Sequence, residues 1–269
     1  MNFKAVAKRV LRFLRLLSGT EKIAEELITL KVAQGSLLAN ASRETCTPIS
    51  KAEFRIFSQW GDDGIIQYLV RKIPNLPKTF IEFGVEDYTE ANTRFLLQNN
   101  NWKGLIIDGS AANMARVRRD RLYWAHELTA LARFVSAENI NELITEAGFG
   151  GSLGILHVDI DGVDYWVWKA IHVVDPEIVI VEYNSVFGAE RAITVPYDAS
   201  FQRHLAHHSR LYYGASLAAF CALAESRGLI FVGCNTAGNN AYFVKQKYAD
   251  LVPPVSIQEG FVESRFRES

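Results

Sequence analysis

Leu229-Ile-Phe-Val-Gly-Cys-Asn-Thr-Ala-Gly-Asn-Asn-Ala-Tyr-Phe-Val244 sets two apolar runs, 229–232 and 241–244, on either side of a turn rich in Gly and Asn. No helix fits between them, so the two strands are antiparallel neighbours. Upstream the rhythm differs. Thr79-Phe-Ile-Glu-Phe-Gly-Val85, Gly104-Leu-Ile-Ile-Asp108, a weaker run at 122–127, Leu153-Gly-Ile-Leu-His-Val-Asp-Ile160 and Glu177-Ile-Val-Ile-Val-Glu182 read as strands. Helical patterns lie near 61–73, 90–98, 111–121, 137–147 (with Ser136 as its N-cap), 164–171 and 216–227. Strand and helix in alternation, with β-branched apolar strands, mean a mostly parallel sheet covered on both faces. The expected fold is therefore α/β: a Rossmann-like, doubly wound, mostly parallel seven-stranded sheet that ends in an antiparallel hairpin strand.

An α-helical N-terminal arm, residues 1–50, is expected ahead of a Rossmann domain over 51–269. Phe3, Val6, Val10, Phe13, Leu14 and Leu17 recur at helical spacing, with Lys4, Lys8, Arg12 and Arg15 on another face. Two readings stand for this basic amphipathic helix: packing on its own domain or a second subunit, or peripheral contact with an anionic membrane surface. A second helix is expected after Ser18-Gly19-Thr20, with a short apolar seam of Ile23, Leu27, Leu30 and Leu37 and an end near Thr47-Pro48.

Bulk composition removes several classes. The 269 residues carry a net charge of −1, so nothing global attracts nucleic acid. Cys46, Cys221 and Cys234 have neither disulfide-framework nor zinc spacing. No apolar run reaches eighteen residues, so no spanning helix is expected. The expected address is the cytoplasm, at the inner face of the membrane if the arm binds lipid.

In open α/β sheets, ligands bind outside the carboxyl ends of the strands. Four of those ends here are acidic: Glu82-Phe-Gly84-Val-Glu86-Asp87, Asp108-Gly-Ser110, Asp159-Ile-Asp161-Gly162 and Glu182-Tyr-Asn184. Clustered carboxylates repel unless a cation or a donor-rich ligand sits among them. Gly84 leaves the backbone open to a ligand. Asp108, about twenty-four residues further on, stands where a ribose-binding acid is expected. Period-two geometry pairs Asp159 with Asp161 and Glu182 with Asn184. These four oxygen donors suit a hard divalent cation such as Mg²⁺ or Ca²⁺, not zinc; the opposing reading of Asp161-Gly162 is a tight turn capped at Asp164.

The order of elements, the acid-and-glycine loop after the first strand, the acid ending the second and the closing hairpin resemble class I S-adenosylmethionine-dependent methyltransferases. Ile155-Leu-His-Val-Asp-Ile-Asp-Gly-Val-Asp-Tyr-Trp-Val-Trp168 is similar to the fourth-strand segment of the FkbM-type group, which is associated with methylating sugars. Phe57-Ser-Gln-Trp-Gly-Asp-Asp-Gly-Ile-Ile66 and Tyr212-Tyr-Gly-Ala-Ser216 look like segments of methyltransferase-like proteins found with surface-glycan genes. The resemblance covers about 57–244. It implies an O-methyltransferase acting on a carbohydrate or small-molecule acceptor, with S-adenosylmethionine held by Gln59, Glu82, Gly84, Glu86, Asp108, Gly109 and Ser110. In metal-dependent members the acids ending strands four and five hold Mg²⁺, places matched here by Asp159 and Glu182. One departure is plain: the family's loop is usually acid-x-Gly-x-Gly-x-Gly, and here Glu86 and Tyr88 replace the second and third glycines. The loop is therefore expected to take another path.

Among the catalytic candidates are Asp161 and, as a general base for a sugar hydroxyl, His208, which would share a helix face with His204. His157, inside a strand, reads as a satisfied core histidine, and Trp166 and Trp168 as core. Tyr197, Tyr212 and Tyr213 fall in segments suited to an acceptor pocket. Two competing functions are a catalytically silent scaffold in a glycan-assembly complex, docked through the arm, and a nicotinamide-dependent oxidoreductase, which the missing GxGxxG disfavours.

Overall fold

The computed structural model describes residues 3–41 and 46–264. It opens with one continuous helix, α1 (Phe3–Ala41), in place of the two expected. Gly19 costs such a helix only about 1 kcal/mol, too little to break it when Leu16-Leu17 precede and Glu21-Lys22 follow Ser18-Gly19-Thr20. The faces expected from Phe3 to Leu17 concern side chains outside the described set. The apolar docking of α1 begins at Val32, which packs with Ile56, Phe57 and Phe95, and Gly35 lets the Phe95 ring close on the backbone. Arg71 holds this end through the Ala39 carbonyl at 2.8 Å.

Then follow α2 (Asp62–Lys72), β1 (Thr79–Phe83), α3 (Arg94–Asn100), β2 (Lys103–Asp108), α4 (Ala111–Arg119), α5 (Arg121–Ala125), β3 (Leu128–Ala132), α6 (Ile140–Glu146), β4 (Gly151–Val158), α7 (Asp164–Ala170), β5 (Val174–Glu182), α8 (Arg203–Ala206), α9 (Leu217–Glu225), β6 (Leu229–Cys234) and β7 (Asn240–Lys245). The sheet order is β3-β2-β1-β4-β5-β7-β6. β1 to β5 pair in parallel, and β7 runs antiparallel to both β5 and β6. The chain reverses its winding between β1 and β4, which opens a crevice above them.

Side-chain alternation explains the three layers. Ile81, Leu105, Leu156, Val179 and Phe243 face one core with α6, α7 and α9. Phe80, Ile106, Ile155, Ile178 and Tyr242 face the other, with α2, α3 and α4. Each fully buried Leu, Ile or Phe contributes about 1.5–3 kcal/mol. Trp168 is wholly buried, as its sequence position suggested.

Two elements differ from expectation. The run 122–127 is not the third strand: Asp120 accepts a bond from the Leu122 amide at 2.8 Å and starts α5, and the strand begins at Leu128. Ser136 does not cap α6, which starts at Ile140; its own amide donates to the Asn139 side chain at 2.9 Å.

Candidate functional site

A cavity of about 370 Å³ opens at the carboxyl ends of β1, β2, β4 and β5. Gln59, Glu82, Gly84, Glu86, Asp108, Gly109, Asp159, Asp161 and Glu182 all line it. Of the expected cofactor residues only Ser110 stays outside: its hydroxyl caps α4, accepting from the Asn113 amide at 3.2 Å.

The loop after β1 shows how the chain manages without glycine. Glu86 (φ 49°) and Tyr88 (φ 61°) both adopt the left-handed conformation that glycine would favour. The path is pinned instead by side chains. Asp108 accepts from the Glu86 amide at 2.9 Å and from Ser110 at 2.7 Å, while the buried Tyr88 hydroxyl bonds Thr93 at 2.9 Å. A left-handed non-glycine residue costs about 1–2 kcal/mol. Glu86 is exposed, so Glu86→Gly is expected to raise stability by about 0.5–1 kcal/mol and Glu86→Val to lower it, read from urea midpoints.

Glu82, expected at the cofactor, lines the cavity, buried opposite His157 in the β1–β4 register, with both of its oxygens engaged inside the protein. One accepts from the Asn92 amide and His157 Nδ1, each at 2.9 Å; the other accepts from the Thr93 amide at 3.1 Å and the Thr93 hydroxyl. Burial alone would raise this carboxyl, but the bond and charge of His157 and the Thr93 and Asn92 donors hold it below its usual range. Burial likewise opposes the charged form of His157, and Glu82 overcomes it and raises that pKa. The pair braces the cavity floor rather than presenting a free carboxylate.

Asp159, Asp161 and Glu182 bring carboxylate oxygens within 4.8 Å of one another, the one such grouping among the described residues. β4 ends at Val158 and Asp161 turns back with φ 55°, so a loop and not a strand pleat brings Asp159 and Asp161 together. Withdrawal from water, then repulsion from the other acids, pushes the Asp159 and Glu182 carboxyls well above their usual range. Arg203 at the start of α8 pairs with Asp161 and stacks 3.7 Å over the Tyr213 ring.

Asn184 does not join this group. Its side chain accepts from the Val186 amide at 3.1 Å and donates to the Leu211 and Tyr213 carbonyls at 2.8 and 3.0 Å, fastening two loops. The strand ends at Glu182, so the period-two argument does not reach Asn184. His208 lies beyond the short α8, exposed and stacked 4.1 Å from His207, and is not among the cavity-lining residues.

Reading the sequence did not single out Asp62. Wholly buried at the N-terminus of α2, it accepts from Asn235 at 3.0 Å, Asn240 at 2.9 Å and the Tyr242 hydroxyl with one oxygen. Its other oxygen, Glu182 Oε2 and Asn240 Oδ1 are buried without a hydrogen-bond donor. All three residues line the cavity, and Asn240 pairs with Glu182 in the β5–β7 register. Buried acceptors of this kind are costly unless a donor-rich or cationic group meets them. The signal available was the Asp62-Asp63 pair at a helix start and the Asn-rich turn opening β7.

A second cavity of about 330 Å³ adjoins the first and shares Arg203 and Asn239 with it. Tyr183, Val186, Leu211, Tyr213 and Phe261 give it an apolar, aromatic wall.

No protein-family model matches the chain, and no curated protein does. Among solved structures it is similar to the N-terminal domain of EvdMO1, crystallised in the presence of SAH and D-fucose (12% identity, 68% of this chain and 80% of that one, TM-score 0.42). It is also similar to an O-methyltransferase from Bacillus cereus in complex with SAH (13% identity, 81% and 91%, TM-score 0.44). A third similar structure is an S-adenosylmethionine-dependent methyltransferase from Clostridium acetobutylicum (10% identity, 68% and 90%, TM-score 0.41). At TM-scores below 0.5 these likenesses bear no weight by themselves; the fold stands on the chain's own strand order.

Proposed function

We propose that this chain is an S-adenosylmethionine-dependent O-methyltransferase that acts on a carbohydrate or similar polyhydroxyl acceptor, with divalent-cation assistance. The observation that carries the reading is one acidic cavity at the winding reversal of the sheet, whose buried acceptor oxygens have no donor of their own. A ligand bearing an ammonium and a sulfonium matches that deficit in charge and in donors. Gln59, Gly84, Glu86, Asp108 and Gly109 would hold the nucleoside part, and Asp62 with Asn240 the amino-acid end. When bound, the cofactor supplies a methyl group activated by positive sulfur.

The chain's own residues would handle the acceptor. Tyr183, Tyr213 and Phe261 line the adjoining cavity, and an aromatic wall suits a sugar. Asp159 and Glu182 have carboxyls held well above their usual range by burial and by the neighbouring acids, and either one, once ionised, can take the proton from a hydroxyl presented between the cavities. Asp159, Asp161 and Glu182 also form an all-oxygen set for a hard cation, which would lower the hydroxyl's pKa. A cation there competes with Arg203 for Asp161.

Isothermal titration with S-adenosylhomocysteine tests the reading, and saturable binding is expected. Absence of binding with and without Mg²⁺ would return the chain to the scaffold reading. Repeating the titration with Mg²⁺ in buffers of different ionisation enthalpy is expected to show proton release, because both raised carboxyls must ionise to hold the ion. Asp159→Ala and Glu182→Ala are expected to lower turnover by about 10²–10⁴-fold. Unchanged turnover and unchanged Mg²⁺ dependence in both variants would remove the acid cluster from the chemistry.

A further inference from the structure

α1 has two apolar faces, and the structure covers only one. Val32 and Gly35 meet the domain, whereas Ile23, Leu27, Leu30 and Leu37 are 61, 56, 65 and 71% exposed. At 100° per residue the exposed set is centred about 150° round the helix from the docked one. Every described side chain from Lys22 to Lys31 is exposed, and the contacts this stretch makes with the domain are polar or charged: Glu25 with Arg121 at 3.5 Å, on the outer flank of the helix, and Lys31 beside Phe57. A helical stretch in water draws most of its stability from burying an apolar face.

We propose that this outward seam pairs with the same seam of a second copy of the chain as a parallel two-stranded coiled coil. The inference stands apart from the methyltransferase reading. The seam steps by four, three and seven residues, the spacing of a heptad with Ile23, Leu30 and Leu37 at d and Leu27 and Gln34 at a. A single polar residue at a is the device that sets register, because Gln34 meets its twin only when the helices are parallel and in step. Charge agrees with that direction. Glu26 falls at g and Lys31 at the following e, so each Glu26 faces Lys31 of the other copy; an antiparallel pair would set like positions together. Lys31 rests on the flank, 4.9 Å from the centre of the Phe57 ring. The docked face points away from the seam, so the two domains sit on opposite outer sides of the coil.

Sedimentation equilibrium of the full chain is expected to show twice the chain mass. Leu27→Glu combined with Leu30→Glu is expected to weaken the dimer by at least about 100-fold while leaving thermal unfolding of the domain unchanged, since each such side chain in the seam loses its apolar burial. Wild-type chain that stays monomeric, or a double variant that stays dimeric, would overturn the proposal. Direction has its own readout: oxidised Gln34→Cys is expected to give a disulfide-linked dimer that the wild type, run alongside, does not give. A reduced-mass band alone would overturn the parallel arrangement. Vesicles rich in phosphatidylserine that draw the chain off as a bound monomer would make the seam a lipid face and overturn the pairing.

Discussion

Gly84→Ala is expected to remove about 3–5 kcal/mol of folding stability and the ligand cavity with it. Gly84 has φ 69°, and a methyl group there would lie 1.8 Å from the Asp159 carbonyl oxygen. Relief requires the loops after β1 and β4 to separate. Yet the Gly84 amide is bonded to the Ile107 carbonyl at 3.0 Å, and Glu82 and His157 hold the two strands together just below. The glycine is thus required by the approach of the neighbouring chain, before any ligand enters. Gly148→Ala is the control, because Gly148 shares the left-handed φ (78°) but has nothing within 4 Å. It is expected to cost only about 1 kcal/mol, the backbone strain alone. Equal urea midpoints for the two variants would show that the contact with Asp159 does not matter.

Glu82→Ala is expected to cost a similar 3–5 kcal/mol, for an electrostatic reason. It strips the acceptor from two amides, a hydroxyl and a buried imidazole at once. Glu82→Gln keeps an acceptor oxygen and is expected to lose less. The pair also carries a pH signature. Glu82 titrates below its ordinary 4.5, so its share of stability is present above that value and is lost as pH falls through the lower folded pKa. His157 titrates above its ordinary 6.5, so its share is complete below that value and fades as pH rises through the higher folded pKa. The gap in urea midpoint between wild type and Glu82→Ala should be widest between those limits and narrow on both sides. A gap constant from acid to alkali would mean the two groups are not paired as ions.

The sheet was legible because its signals are local. The five parallel runs and the closing hairpin state their own period, and the third strand alone slipped, where Leu122-Tyr-Trp-Ala125 suits helix and strand equally. The acids at the strand ends were legible as a group for the same reason. Their individual roles were not, because a carboxylate's task is set by donors that arrive from elsewhere. Glu82 looks like Asp159 in the sequence; the difference is His157, Asn92 and Thr93, brought in by β4 and the loop before α3. Asn184 sits apart from the acid group because the strand stops two residues earlier, a boundary that spacing cannot locate. Asp62 was missed because its neighbours in space are remote in the chain.

That remoteness bears on when the protein can act during its own synthesis. The donors to Asp62 lie 173, 178 and 180 residues downstream. A nascent chain that has already laid down β1 to β5 still carries a bare acid at the start of α2, and its cavity still lacks the wall that Asn239 and Asn240 provide. Ligand cannot act as a template for the earlier strands, because the pocket that would grip it is finished by the last strand made. A translation product truncated within the hairpin would lack that wall, and keep a bare Asp62, however well its first five strands had formed.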